Sequence, residues 1–367
     1  MKIRMDNSSK ARFQSLTGVR FIAVCLVFIY HNRKYWRDSL HPELIRLFNE
    51  FHVGVSLFFV LSGFLIAYTY EDKPLASGTA YLKYILVRCA RILPLYWLIL
   101  TIYYLDKSYG NFHFNLLTYS LAHGFSDVHN LEGIAQAWSL TVEMTFYILA
   151  PVLFFIKRKN LWLLLLAMLL LYGMFFGIGA IWQHWNTNPQ RFFRPNQFLL
   201  LNTFPGRSSE FIVGMVLATA VQQKSNWLYQ FRHKTTFGIT AMFIVIYGIG
   251  WFQKDIYDHG YTHPIGMILA KTVLPISMAI LLAGLMEEDT WLNKILGSKF
   301  LVLLGNASFA FYLVHISYVN LKIKDWYTFP DRNFILLWII SIILYQYVES
   351  PMYHFCRKQL NANKKSA

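Results

Sequence analysis

The chain has 367 residues, of which 56% are hydrophobic, 18% aromatic and only 14% charged, and its formal net charge is +15. That balance excludes an ordinary soluble globule, in which about a quarter of the residues are charged. The positive charge does not point to nucleic acid either, because the basic residues are scattered over short loops between apolar runs.

The remaining class is an all-α polytopic membrane protein whose basic loops meet anionic lipid. Mostly apolar windows long enough to span a bilayer recur at 15–32, 51–70, 84–105, 138–156, 161–182, 206–222, 236–252, 264–286, 300–320 and 334–352. They predict about ten transmembrane helices, with an eleventh less favoured. The apolar run 114–123 is too short to span and is predicted to be re-entrant or interfacial.

Ten spans put both termini on one side. With the N-terminus inside, cytoplasmic segments carry 20 basic residues and outer segments 12, so the orientation N-in, C-in is predicted. Residues 1–14 then form a cytoplasmic tail, 15–352 the membrane domain and 353–367 a basic cytoplasmic tail. The first apolar run lacks a small-residue cleavage site and is followed by charge, which predicts a retained span rather than a signal peptide. Cys25, Cys89 and Cys356 show no Cys-x-x-Cys or Cys/His spacing, so no disulfide framework or structural zinc is implied.

The first span holds Arg20 and His31, expensive groups in an apolar run. Eleven residues turn a helix three times plus about 20°, so both side chains lie on one stripe, about 16 Å apart along the axis. A cation and a titratable base on one face fit a functional site; a snorkelling arginine and an interfacial histidine are the alternative. The third span opens with Arg88-Cys89-Ala90-Arg91. Residues three apart are helix neighbours, and two guanidiniums so placed can clamp a phosphate or diphosphate bidentately. Positive-inside anchoring is the competing reading, and Pro94 is positioned to kink the helix beside the pair.

Glu143 is the only acid in the fourth span. Its candidate partners are His31, Arg20 and Arg207, and it reads either as a carboxylate that orients a histidine or as a structural ion pair. Lys271 in the eighth span is a paired structural cation or a pocket residue. His259 and His263, with Asp258 beside them, make only a weak metal pattern in a loop, and no metal is expected. In the ninth span Tyr312 and His315 share a face, His315 reading better as a hydrogen-bonded packing residue than as a catalyst, and Glu349 lies near the cytoplasmic end of the last span. The outer loops hold Tyr109, Phe112, His113, Trp182, Trp185, Phe192, Phe193, Tyr257, Tyr261, Trp326 and Tyr327, which suit either stacking on sugar rings or an interfacial belt.

Five motifs in order carry a resemblance. They are Leu16-Thr17-Gly18-Val19-Arg20-Phe21-Ile22-Ala23 ending in His31; Gly54-Val55-Ser56-Leu57-Phe58-Phe59-Val60-Leu61-Ser62-Gly63-Phe64-Leu65-Ile66; Arg88-Cys89-Ala90-Arg91; Trp138-Ser139-Leu140 with Glu143; and Tyr312-Leu313-Val314-His315. Together they resemble the membrane-bound acyltransferase family 3 from about residue 15 to 352.

The resemblance implies transfer of an acyl group, most often acetyl from acetyl-CoA, to a hydroxyl of an envelope glycan such as a polysaccharide or lipopolysaccharide, a lipid-linked sugar or another small acceptor. The setting it implies is a bacterial cytoplasmic (inner) membrane. It assigns His31 as the catalytic histidine, Arg20 as its partner, Glu143 as a site acid, and Arg88, Arg91, Tyr312 and His315 as cofactor-binding residues. On this expectation CoA enters from the cytoplasm and its arm reaches His31, which acts as general base or transient acyl carrier.

Two positions depart from the family pattern: Met144 stands where many members have a second acid, and Ser56 where relatives often have one. The sequence ends about fifteen residues after the last predicted span, so transfer is expected to finish within the membrane domain. The rival class is a secondary transporter using the same buried charges as a proton or substrate path. Its paired halves are not evident between 15–182 and 206–352, and a catalytically dead scaffold would give Arg20, His31 and Glu143 no shared purpose.

Overall fold

The computed structural model describes residues 7–73, 75, 77–105, 115–185, 189, 191–255, 258–317, 319–320 and 330–362. Among these there is no strand, only an isolated bridge between Ser126 and Phe192. The first half of the chain forms α1 (Asn7–Asn32), α2 (Pro42–Asn49), α3 (Gly54–Tyr70), α4 (Gly78–Leu105), α5 (Leu116–Tyr119), α6 (Trp138–Lys159) and α7 (Leu161–His184). The second half forms α8 (Asn196–Asn202), α9 (Phe204–Gln222), α10 (Asn226–Gln230), α11 (Lys234–Gly250), α12 (Pro264–Ile268), α13 (Leu274–Glu287), α14 (Trp291–Leu296), α15 (Lys299–Val314), α16 (Pro330–Leu344) and α17 (Ser350–Ala362).

Each of the ten predicted windows falls on a helix. Seven helical stretches are long and apolar enough to cross a bilayer: Phe13–Tyr35, Pro42–Tyr70, Gly78–Leu105, Ala135–Lys159, Leu161–His184, Pro264–Glu287 and Asn333–Leu360. Windows 236–252 and 300–320 meet the shorter apolar helices Lys234–Gly250 and Lys299–Val314. The window 206–222 meets α9, whose first two turns carry Arg207 and Glu210.

At the end of α15 the backbone N–H of His315 closes the last turn on Phe311, and the Asn320 side-chain amide donates to the His315 carbonyl, one of those left without an intrahelical partner. The described part of the short run 114–123 is built from α5 and a 3-10 turn at Ala122–Phe125. The segment expected as a basic tail is helical as far as Ala362.

The chain forms two compact units. The first comprises Met1–Thr69, Ser209–Phe309 and Phe329–Asp331; the second comprises Tyr70–Ser208, Ala310–Thr328 and Arg332–Ala367. In the first, α1 packs on α13 and α14, and α11 runs along α13. Helices α3 and α9 meet through glycine. A Cβ on Gly63 would lie 2.3 Å from the Phe211 carbonyl oxygen, and one on Gly214 would lie 2.2 Å from that of Val60. Lipid tails are as apolar as leucine, so close backbone approach is what holds such helices together.

In the second unit α6 packs on α7, α17 packs on α4, and the rings of Phe311 and Trp338 stack at 4.3 Å. Lys157, near the end of α6, meets Glu71, just past α3, in a buried pair at 2.7 Å. Along α7, Trp162, Leu169 and Leu170 are 77%, 65% and 65% exposed, which a spanning helix presents to lipid.

The glycine contact can be tested directly. Gly63→Ala is expected to destabilise the protein by about 1–3 kcal/mol, because a backbone carbonyl cannot move aside as a side chain would. Thermal unfolding in detergent would show this as a clear fall in midpoint relative to Gly78→Ala, where an added Cβ meets nothing within 4 Å.

Candidate functional site

In the first unit α1 is unbroken from Asn7 to Asn32, so Arg20 and His31 occupy one stripe as the spacing requires. Both are half-buried. The end of α1 that bears His31 has a polar and aromatic rim. The Tyr30 ring lies 4.8 Å from the His31 ring and 5.5 Å from that of His52, and the Arg33 guanidinium sits 4.3 Å over Tyr30. Arg33 is fixed in turn by donating from Nε to Asn49 at 2.6 Å and from Nη1 to the Tyr30 carbonyl at 2.6 Å.

Beyond Tyr30, its hydroxyl meets Nε2 of His259 at 3.2 Å, and the Tyr261 ring lies 4.3 Å from His52. Burial first, and the Arg33 charge second, hold the His259 imidazole below the usual histidine range, so it is neutral near pH 7. Glu50 is fully buried below this rim. It accepts from the Gly260 N–H at 2.6 Å and from Gln253 Nε2 at 2.7 Å, and lies 3.9 Å from His52 Nδ1. Those two donors offset part of the cost of burying a carboxyl group.

In the second unit Arg88 is surrounded by tyrosines. Its Nη2 donates to the Tyr70 hydroxyl at 2.8 Å, and its guanidinium carbon lies 4.9 Å from the Tyr70 ring, 6.0 Å from Tyr84 and 5.9 Å from Tyr147. Tyr147 in turn donates its hydroxyl proton to Glu143. The spacing explains the grouping: Tyr84, Arg88 and Arg91 are one turn apart on α4, and Glu143 and Tyr147 one turn apart on α6. Among the described residues neither Arg88 nor Arg91 makes an ion pair. Glu143 accepts from a phenol of its own helix, and Arg207 is buried with its guanidinium 5.9 Å from the Trp138 ring.

Tyr312 and His315 lie in a buried network of the same unit. The Tyr312 hydroxyl bonds Ser139 at 2.8 Å and donates to the Gln136 carbonyl at 3.2 Å. Gln136 Nε2 donates back to the carbonyls of Tyr312 and Leu313 at 2.6 and 2.8 Å. His315 is fully buried, with Nδ1 2.7 Å from the Tyr312 carbonyl. This network ties the end of α15 to the start of α6.

Of the remaining residues singled out in the sequence, Lys271 sits in a π-turn, Leu269–Val273, with Nζ 3.9 Å from the fully buried Glu210 of the first unit. Glu349 is buried in a second π-turn, Tyr345–Glu349. His263 caps α12 by accepting from the Ile265 N–H, and among the described residues no three His, Cys, Asp or Glu side chains converge as a metal set. Trp182, Phe192 and Phe193 pack together with Phe125 and Phe175, whereas Tyr109, Phe112, His113, Tyr257, Trp326 and Tyr327 lie outside the described residues.

Sequence reasoning missed Tyr70, Tyr84 and Tyr147 around Arg88, and Glu50 and His52 near His31. For Tyr84 and Tyr147 the signal was present as a spacing of four to Arg88 and to Glu143. Tyr70 and Glu50 come from other elements, and no spacing rule reaches them.

The chain matches a family model described as an acyltransferase domain, Acyl_transf_3, over residues 13–345. It is 26% identical over 342 residues to acyltransferase MdmB of Streptomyces mycarofaciens, covering 84% of this chain and 79% of that protein. It is 22% identical over 345 residues to peptidoglycan O-acetyltransferase OatA of Listeria monocytogenes, covering 87% of this chain and 51% of that protein. The chain therefore spans about half the length of OatA. No solved structure matches it.

The Ser139–Tyr312 bond predicts energetic coupling. Ser139→Ala and Tyr312→Phe are each expected to cost about 1 kcal/mol of stability, and the double variant less than the sum by about 0.5–1 kcal/mol. Unfolding of the two singles and the double in one detergent checks this, and strictly additive losses would separate the two hydroxyls.

Proposed function

The chain belongs to the membrane-bound acyltransferase family 3, and from that premise we propose that it moves an acetyl group from cytoplasmic acetyl-CoA to a hydroxyl of an envelope glycan or lipid-linked sugar. The observation that carries the donor half is Arg88: a permanently charged guanidinium held by three tyrosines, with no carboxylate paired to it or to Arg91 among the described residues. Such a pair suits an anionic ligand with closely spaced phosphate oxygens. Tyr312 and His315 serve the donor side by fixing α15 against the start of α6.

The acceptor half rests on His31. As general base it takes the proton of the acceptor hydroxyl while that oxygen forms its bond to the acyl carbon; the carbon–sulfur bond breaks, and the CoA thiolate leaves and recovers the proton. As nucleophile it would instead carry the acyl group between two such transfers. In either course Arg20 acts as partner on the same helix and Glu143 as a site acid on the donor side. The basic-residue distribution supports N-in, C-in topology, which puts His31 toward the outer end of α1 and Arg88 toward the inner end of α4. Only the acyl group then crosses the membrane.

In sealed vesicles of known orientation, acetyl-CoA on the cytoplasmic face is expected to label an acceptor confined to the outer face, and His31→Ala to abolish that labelling while CoA binding persists. Full transfer by the variant would remove His31 from the chemistry, and labelling confined to the donor side would refute crossing.

For the donor clamp, Arg88→Lys combined with Arg91→Lys is expected to weaken acetyl-CoA binding about tenfold or more despite conserved charge, because the planar fork is lost. Binding of pantetheine, which lacks the phosphates held there, should change little. Equal losses for both ligands would move the arginines out of the phosphate site.

A further inference from the structure

Tyr30, the residue before His31, is held at three points. Its hydroxyl meets His259 Nε2 at 3.2 Å, its ring carries the Arg33 guanidinium at 4.3 Å, and its carbonyl accepts from Arg33 Nη1 at 2.6 Å. Arg33 is itself tied down, donating from Nε to Asn49 at 2.6 Å.

The His259 side of this clamp is braced as well. The N–H of the next residue, Gly260, donates to the fully buried Glu50 at 2.6 Å, and Gln253 Nε2 donates to the same carboxyl oxygen at 2.7 Å. Gly260 has no room for a side chain, because a Cβ there would run into the Ile249 carbonyl, so the loop lies tight against the end of α11. The His259 imidazole stacks on the Tyr261 ring, with centroids 5.3 Å apart and planes 12° from parallel. Burial and the Arg33 charge keep this imidazole neutral near pH 7, and a neutral imidazole retains one lone pair to take the phenol proton. All of these residues belong to the first unit.

Tyr30 in turn meets His31. The two rings lie edge to face, 4.8 Å apart with 69° between their planes. The χ2 torsion of a histidine is broad, so the helix fixes where the imidazole starts but not which way its nitrogens point. An aromatic neighbour at this separation and tilt favours one ring orientation over the others.

We propose that Tyr30 is a positioning residue for His31, and that the bond between its hydroxyl and His259 holds it in that role. The proposal rests on the reading of His31 as the reacting histidine and deepens it. Tyr30 exchanges no proton with substrate; it sets the aim of the imidazole, and misplacing a reacting group by about 1 Å can cost about a hundredfold in rate. His259 acts one step further out, through Tyr30, and Glu50 one step beyond that, through the Gly260 N–H.

The test uses the full chain, carrying isotope-labelled histidine, in phosphatidylcholine nanodiscs. NMR identifies the His31 Cε1–Hε1 resonance by its loss in His31→Gln, and the shift in Tyr30→Leu gives its full dependence on the tyrosine ring. Tyr30→Phe, which removes one oxygen, and His259→Ala are each expected to move the resonance well toward the Tyr30→Leu position, because a ring released from its anchor averages over orientations. The double variant should move it no further than either single, and His259→Gln, whose amide places a polar atom near the former Nε2, should restore it. A His31 resonance unmoved in Tyr30→Phe and His259→Ala overturns the proposal, as do additive shifts in the double variant. Should His259→Ala not fold, Tyr30→Phe carries the test alone.

Acetyl-CoA hydrolysis, with water in place of the acceptor, supplies the functional arm. In Tyr30→Phe and in His259→Ala, kcat is expected to fall about tenfold with KM within about twofold, and His259→Gln to recover most of the loss. A rise in KM at constant kcat would overturn positioning and put these residues in ligand binding. A wild type and His31→Gln that hydrolyse acetyl-CoA equally, or not at all, count against His31 as the reacting histidine, while the resonance still decides whether Tyr30 orients it.

Discussion

A charge inside a hydrocarbon slab needs a partner or a wet cavity, and the buried charges of this chain meet that demand in two different ways. Some are matched inside the protein. Lys157 and Glu71 form a pair at 2.7 Å with both side chains nearly sealed, and Lys271 leans toward Glu210 from a π-turn. The extra residue in such a turn shifts the side-chain register of the helix at the point where Lys271 meets the carboxylate. Matched charges of this sort fix helices against each other. Arg88 is handled differently, by tyrosine hydroxyl and ring faces, which stabilise the cation without cancelling it.

The distribution of small residues complements this. Lipid offers no hydrophobic drive between helices, so the first unit relies on backbones in direct contact at Gly63 and Gly214. That rigidity matters for α1, which must stay straight from Asn7 to Asn32 for Arg20 and His31 to share a stripe. Around His31 the chain then supplies polarity from short elements rather than from spans. Asn49 ends α2 and Glu50 follows it, and His259 and Gly260 come from a loop, so the rim can present hydrogen-bonding groups that would be costly deeper in the bilayer.

How much of this is legible in the sequence depends on whether a relation is local along one helix. Period and length place a helix on every one of the ten windows, and the eleven-residue spacing of Arg20 and His31 holds because nothing interrupts α1. The Arg88/Arg91 pair is legible for the same reason. Relations between elements are not. Glu143 accepts from a tyrosine four residues along its own helix, a neutral donor that a search for cationic partners passes over. The bonds of Tyr312 to Ser139 and Gln136 span more than 170 residues of sequence, and Tyr70 reaches Arg88 from another helix. The carbonyl left open past the end of α15 is taken by a side-chain amide at Asn320, a contact that hydropathy does not register.

The choice of tyrosine over acid around Arg88 bears on what the site can do. An internal arginine–carboxylate pair would satisfy the fold, but a ligand would then have to displace the carboxylate and leave it buried and uncompensated. Tyrosines avoid that exchange. The hydroxyl of Tyr70 accepts one donor, the aromatic faces lower the cost of the remaining charge, and Glu143 is engaged by Tyr147 rather than paired with Arg88. The guanidinium keeps a donor available at the buried Nε, so an anion placed there would gain a bond without breaking an ion pair.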